Sequence, residues 1–380
     1  MAMILYKLLK WKLVMVYALL FLTGAVRTTD NNNQLKIRVA VLEGVNTFEV
    51  AGERIVLLHD GGEAEIGNRV DIAGDGNKIR IGDISYEAPL RLRAKRDILY
   101  VNEKQYKGAL VIHIEHRDIL VVNEVPLETY LVGLINAEMN SKWPLEAVKA
   151  QAVVARTFAM KKMEERRHKN YDVKADVSDQ VYHGSALEDE ESELAVNQTA
   201  GEVLIYRGEL ANTFYHSTCG GHTASVQEVW GRYYPYLVGV ECQWCVDSPR
   251  YFWKYEITGS ELGKVLQKKD INVGEVRKIK TLGKTSSGRV SRVEIFGSRS
   301  KRIINATVLR TAVGYTKIFS TLFDVDEPEK GNFVFMGRGS GHGVGMCQWG
   351  ARGMALAGKS YREILEYYYP GTNLNRGIYH

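Results

Sequence analysis

Short apolar runs separated by glycine or charged turns fill the chain from Leu35 to about Val125. Ile37–Leu42, Arg54–Leu58, Asn77–Ile81, Ile98–Asn102 and Ala109–Ile114 have the alternation and spacing of antiparallel strands. Asp60-Gly61-Gly62 and Asp75-Gly76-Asn77 supply turn chemistry between them. The pattern changes at Pro126. Leu127–Ala137 reads as a short helix, and Pro144 opens a longer one that runs to about His168. There Leu145, Val148, Ala152, Ala155, Ala159 and Met163 recur at three- and four-residue steps and make one apolar face. Proline suits the first helical position, and Arg166, Arg167 and His168 suit the negative pole of the last turn. Glu188–Leu194 starts another helix that ends before Gly201. Strands follow at Val203–Tyr206 and Asn212–His216, and Arg277–Leu282 with Arg289–Phe296 form a hairpin around Ser286-Ser287-Gly288. Tyr361–Tyr369 closes the chain as a helix stopped by Pro370-Gly371. The expected class is α+β: a β-rich N-terminal region over 35–125, then a mixed α/β catalytic domain over 126–380 with its long helix after Glu138.

The first 34 residues stand apart. Lys7, Lys10 and Lys12 precede an apolar run from Leu13 to Val26, and the polar stretch Arg27–Gln34 follows. A basic flank, a short apolar core and small residues describe a secretory signal. The run is short for a helix of about 20 residues that spans a bilayer. Cleaved signal and retained single anchor both remain open. Basic residues before the run put the bulk of the chain outside the cytoplasm in either case, so a secreted or membrane-anchored envelope protein is expected.

With 380 residues, 45% hydrophobic and 25% charged, the chain is ample for a folded core and unlike a disordered or polytopic membrane protein. A net charge of +5 permits a polyanionic partner, but no run is basic enough to demand nucleic acid.

Three constellations could carry chemistry. Glu138 follows the apolar stretch Leu131–Ala137 and precedes Met139 and Trp143. A carboxyl at the edge of an apolar helix beside an aromatic is set for a raised pKa, and so for donating a proton near neutrality. An ordinary solvated helix-end glutamate is the other reading. The run Arg338-Gly-Ser-Gly-His-Gly-Val-Gly-Met-Cys-Gln-Trp-Gly lets backbone approach a ligand closely. It matches neither a P-loop nor a dinucleotide fingerprint. Such a loop would present Ser340, His342 and Gln348; a tight turn packed beside a helix is the alternative. Cys219-x-x-His222 and Cys242-x-x-Cys245 fit a tetrahedral zinc site of three thiolates and one imidazole, with His216 and Cys347 as competing ligands. In an exported protein one or two disulfides, or free thiols, are rivals. Trp230, Tyr233, Tyr234, Tyr236, Trp244, Tyr251, Phe252 and Trp253 cluster and could stack on sugar rings or pack a core.

Several ordered motifs together resemble one family. They are Val125-Pro-Leu-Glu-Thr-Tyr-Leu-Val-Gly, Ala137-Glu-Met, and Trp143-Pro-Leu-Glu-Ala-Val-Lys-Ala-Gln-Ala-Val-Val-Ala-Arg-Thr-Phe-Ala. Further on come Ser178-Asp-Gln-Val-Tyr-His-Gly, Ser217-Thr-Cys-Gly-Gly-His-Thr, Val229-Trp-Gly and Gly341-His-Gly-Val-Gly-Met-Cys-Gln-Trp-Gly-Ala. They are similar to the stage II sporulation protein D (SpoIID) family, which includes LytB-type amidase enhancers. The resemblance covers about 125–375 strongly. It implies an envelope protein acting on peptidoglycan, a lytic transglycosylase that cuts glycan strands already stripped of stem peptides by an amidase. The glutamate of the Ala-Glu-Met motif, the family's catalytic acid, falls on Glu138. It would donate a proton to the bond between N-acetylmuramic acid and N-acetylglucosamine, then accept one from the muramic 6-hydroxyl, leaving a 1,6-anhydro end. Lys149, Gln151 and Arg156 on the following helix, with Ser340, His342 and Gln348, are the candidates for substrate contact. A non-catalytic, glycan-binding enhancer of a cell-wall amidase is the alternative. Sporulation-type members can carry a zinc site around the segment that here reads Asp176-Val-Ser-Asp-Gln-Val-Tyr-His. Ser178 stands where a thiol would be needed, so metal in this chain must be built from other residues, as a structural site.

Overall fold

The computed structural model describes residues 34–59 and 62–377. The expected signal or anchor over 1–34 lies, apart from Gln34, outside these residues, as does the Asp60-Gly61 turn. Among the described residues no helix is long and apolar enough to cross a membrane.

The β-rich region forms β1 (Lys36–Val45), β2 (Thr47–His59), β3 (Gly62–Asp75), β4 (Lys78–Ile81), β5 (Ile84–Glu87), β6 (Leu90–Arg93), β7 (Ile98–Val101), β8 (Lys104–Lys107), β9 (Ala109–Glu115) and β10 (Asp118–Pro126). Each expected strand falls within or on one of these. A short strand from later in the chain, β11 (Val173–Lys174), joins the same sheet in the order β11-β1-β10-β9-β6-β2-β3-β4-β5, with β7 paired to β2 and β8. Alternate residues turn inward: Leu90 and Leu92 on β6 and Ile55 and Leu57 on β2 are fully buried, the period-two pattern of a sheet with one covered face.

β10 runs directly into α1 (Leu127–Glu138), and α2 (Leu145–Glu165) follows. The sequence placed both to within a few residues. Pro144 is the N-cap of α2 rather than its first helical residue. α2 is buried almost all round along its middle, with Ala150, Val153, Val154 and Ala155 at zero exposure, so it runs through the core rather than along the surface. Against it pack α3 (Glu190–Gln198) and the strand Glu202–Tyr206, which the last strand, Asn373–Arg376, extends. α4 (Val226–Trp230) and the helices α7 (Gln348–Leu356) and α8 (Tyr361–Tyr368) complete this layer.

Between α4 and α7 lies a second core. Its strands are Phe252–Thr258, Val276–Lys284, Val290–Gly297, Lys301–Asn305, Phe323–Glu329 and Asn332–Arg338, and its helices are α5 (Gly259–Gln267) and α6 (Ala306–Val313). Phe333, Phe335, Leu309 and Val293 fill it. The 277–296 hairpin is present, with Lys301–Asn305 as an added third strand. The whole is an α+β protein, as expected.

Candidate functional site: a carboxyl at the end of α1

Glu138 is the last residue of α1. The helix ends there because the chain turns to extended backbone at Met139, whose N–H still reaches the Ile135 carbonyl. Across the site passes the loop 176–184. Two glycines seat it: a side chain on Gly184, whose φ is +76°, would collide with the Gln105 carbonyl, and one on Gly133 of α1 would lie 2.5 Å from the Gly184 carbonyl oxygen. The loop is thereby held close enough to α1 for the Val181 N–H to donate to Glu138 Oε1 at 2.7 Å.

The rest of the shell is a chain of hydrogen bonds. The Tyr130 hydroxyl donates to Gln180 Oε1 (3.1 Å), and Gln180 Nε2 donates to the Tyr215 hydroxyl (3.2 Å). The Tyr215 hydroxyl in turn bonds the Glu138 carboxyl. Glu138 itself is partly buried. Desolvation raises its pKa from 4.5 to about 7, against the Val181 and Tyr215 hydrogen bonds, which pull it down. The negative pole of α1 acts in the same direction as burial. The arrangement yields a carboxyl that is protonated about half the time at neutrality and oriented by fixed donors, as a general acid requires.

The glycine-rich run reaches the same place. Gln348, at the start of α7, donates to the Glu138 backbone carbonyl (3.0 Å) and to Gln151 Oε1 (3.3 Å). Both glutamines are buried, so they hold the end of α1 and do not face open solvent. His342 accepts the Val344 N–H at Nδ1 (3.1 Å) and bonds the Tyr215 backbone carbonyl through its other nitrogen. Burial pushes its pKa down to about 4, so it is neutral at physiological pH. Tyr215 thus joins Glu138 and His342. Ser340 is fixed by a two-way backbone pairing with Thr218.

Two expected contact residues stand elsewhere. Arg156 is completely buried and makes four hydrogen bonds, two to the Glu128 carboxylate and one each to the carbonyls of Glu202 and Val196. A guanidinium so enclosed ties α2 to α1 and α3 and has no face for substrate. Lys149 pairs with Glu146 at 2.7 Å and lies 5.4 Å from the centre of the Tyr361 ring, so it serves the α2–α8 contact.

The thiols converge, but not in the set that spacing suggested. The sulfur atoms of Cys219, Cys242, Cys245 and Cys347 lie within 4.8 Å of one another, and all four residues are buried. His222 is not part of this group; its Nδ1 faces the Thr223 carbonyl at 2.6 Å. His216 likewise points its Nδ1 to the Val344 carbonyl. The fourth member is Cys347, brought in by the parallel pairing of Tyr215–His216 with Met346–Cys347. Polar groups surround the sulfurs: Cys219 N–H and Gly350 N–H donate to Cys347 Sγ (3.2 and 3.3 Å), and the Tyr368 hydroxyl lies 3.1 Å from Cys242 Sγ. Tetrahedral Zn–S bonds of about 2.3 Å set sulfurs about 3.8 Å apart, so the four thiols fit such an ion. Ser178 bonds Asp176, and among the described residues no second metal-ligand cluster lies near 176–183.

Of the aromatic run, Tyr236 and Trp253 are core, whereas Trp230, Tyr233 and Phe252 are exposed.

Residues 115–206, which include Glu138, match the family model described as stage II sporulation protein. The stage II sporulation protein D of Bacillus subtilis is 30% identical over 272 residues, covering 67% of this chain and 76% of that protein. The chain belongs to the SpoIID family. An uncharacterized protein of Brachyspira hyodysenteriae is 35% identical over 280 residues, 73% of this chain and 74% of that one. The amidase enhancer of B. subtilis is 30% identical over 292 residues, and the match spans 40% of that longer protein. The second core corresponds to a further match, a domain of unknown function (DUF8618) over 244–345. SpoIID-family membership supports a cell-wall role.

Sequence reasoning missed Tyr215, Val181 and Gln180 as partners of Glu138. The Ser178–Gly184 motif was the available signal for the last two; nothing local marks Tyr215.

Proposed function

We propose that this SpoIID-family protein is a lytic transglycosylase acting on peptide-free glycan strands of peptidoglycan. One observation carries the reading: Glu138 is a partly buried carboxyl with a pKa near 7, oriented by the Val181 N–H and the Tyr215 hydroxyl. In its protonated form it gives a proton to the glycosidic oxygen as the C1–O bond of the muramic residue breaks. The muramic 6-hydroxyl closes on C1, and the newly formed carboxylate takes its proton. The carboxyl ends the cycle as it began, and no water is consumed. One carboxyl therefore suffices, where hydrolytic glycosidases use two. Product mass analysis on peptide-free strands tests this. Anhydro ends, lower by one water, support it; hydrated ends or intact strands refute it.

A second reading is favoured by the likeness to the amidase enhancer: the same surface holds glycan for a cell-wall amidase without cutting it. Stimulation of a purified amidase that survives Glu138→Gln would favour that role.

We further propose that Cys219, Cys242, Cys245 and Cys347 hold one structural zinc ion. Four thiolates leave no open position for water or substrate, and the ion would join the 219 loop, the 242–245 turn and the start of α7. The protein would work outside the cytoplasm, reached through the basic–apolar N-terminal segment, with that segment its membrane tie if retained. The β-rich 35–125 region and the 126–380 region would act as its two domains.

A further inference from the structure

A cavity of about 690 Å³ lies on the other side of His342, between α4, the 277–296 hairpin and α6, within the size range of small-ligand sites. Its lining combines two chemistries. One is an exposed aromatic ring. Trp230 is 45% exposed although its ring is held 5.0 Å from His342 and 4.8 Å from Phe214. The other is positive charge from three arginines. Arg289, Arg292 and Arg310 line the space, and among the described residues no carboxylate pairs with any of them. Arg289 is 2% exposed; its terminal nitrogens donate to the carbonyls of His222 and Cys219 (2.9 Å each), and its Nε is buried without a partner. Arg310 donates Nε to the Ile318 carbonyl (3.0 Å) and stacks 4.6 Å from the centre of the Tyr315 ring. The first turn of α6 also borders the cavity. Its N-cap, Asn305, makes no capping bond, and no acid stands in the turn, so the positive pole is left for an anion. Glu228 is the acid on the lining, and both its oxygens accept hydroxyls from Ser286 and Ser287.

We infer that this cavity binds the free carboxylate of an N-acetylmuramic residue, with Trp230 against the sugar ring and Arg310, Arg289 and the start of α6 around the acid. The inference rests on the transglycosylase reading and deepens it. A muramic residue carrying a stem peptide has an amide where the stripped residue has a charged lactyl carboxylate. A cationic pocket therefore selects stripped strands by charge, since an amide forgoes the charge-assisted contact that a carboxylate makes with the guanidinium groups. Tyr215 touches both places: its backbone bonds His342 on the cavity wall, and its hydroxyl bonds Glu138. Neighbouring sugars of one strand would occupy the two places. The segment matched as a domain of unknown function supplies all three arginines, which gives that insertion a role in substrate choice.

The test uses the Glu138→Gln protein, which should bind strands without cutting them. Calorimetry compares peptide-free strands with the same strands after conversion of their carboxyls to methylamides. Amidation should weaken binding about tenfold or more, the scale of a lost charged hydrogen bond. Adding Arg310→Gln should weaken native strands similarly and leave amidated strands unchanged. Equal affinity for the two ligands overturns the inference, and so does an equal loss for both on Arg310→Gln. If Arg310→Gln unfolds, the two ligands on the Arg310-intact protein still decide. Digestion by the wild type is read in parallel. Anhydro products without carboxylate preference sink the pocket alone; preference without anhydro products sinks the transglycosylase reading alone.

Discussion

Glu138→Gln should stabilise the protein, and the gain should depend on pH. In the folded chain the carboxyl titrates near 7 because burial disfavours its charge; in the unfolded chain it titrates near 4.5. Below 4.5 both states are protonated and nothing is lost. Between 4.5 and 7 the unfolded chain releases the proton while the folded chain keeps it, so stability falls as pH rises. Above 7 the full cost is present. At about 1.4 kcal/mol per pH unit it reaches about 3 kcal/mol at pH 8, against about 1 kcal/mol at pH 5. Glutamine carries the shape of the neutral acid and can accept the Val181 N–H, so it escapes this cost. Scanning calorimetry of wild type and variant from pH 5 to pH 8.5 reads the difference. The melting temperatures should diverge with rising pH, by about 4–5 °C at the alkaline end for a protein of this size. A constant gap, or a variant less stable at every pH, would mean that the carboxyl is not held near neutrality and that the reasoning from burial is wrong.

The neighbours give further tests. Tyr215→Phe removes a hydrogen bond that lowers the Glu138 pKa, so the alkaline limb of the kcat/KM profile should move to higher pH as the maximal rate falls; a limb that moves down or stays put contradicts the assigned contact. On the proposed four-thiol site, Cys347→Ala should lower the zinc content read by a chelating dye and lower the melting temperature, whereas His222→Ala should leave the zinc content unchanged. Arg156→Ala should cost about 3 kcal/mol by urea unfolding, because it leaves the Glu202 and Val196 carbonyls without this buried donor and empties a buried site, with kcat/KM per folded molecule little changed.

What the sequence made legible were the features with local causes. Helical periodicity gave α1 and α2, because their apolar faces repeat within a few turns. Alternation gave the strands of the first sheet. The motif around Glu138 gave the acid, but its raised pKa comes from burial, which no local pattern encodes, and the groups that orient it and pull the pKa back down lie at Val181, 43 residues away, and Tyr215, 77 residues away. Cys219-x-x-His222 imitates a metal knuckle locally, yet the fourth sulfur comes from Cys347 through a parallel strand pairing that no spacing rule encodes. Arg156 looked available because one helical sequence does not say what packs against each of its faces. α5 was missed although its capping box, Thr258 with Glu261, stood in the sequence; at nine residues its periodicity was too short to detect.

The central claim, that Glu138 acts in turn as acid and base on wall glycan, is tested most directly by mass analysis of what the protein releases from peptide-free strands. Wild type should give 1,6-anhydromuramic ends, with release falling as pH rises above about 7, and Glu138→Gln should release none while still binding the strands. Anhydro ends from Glu138→Gln at the wild-type rate, or none from the wild type, would contradict it.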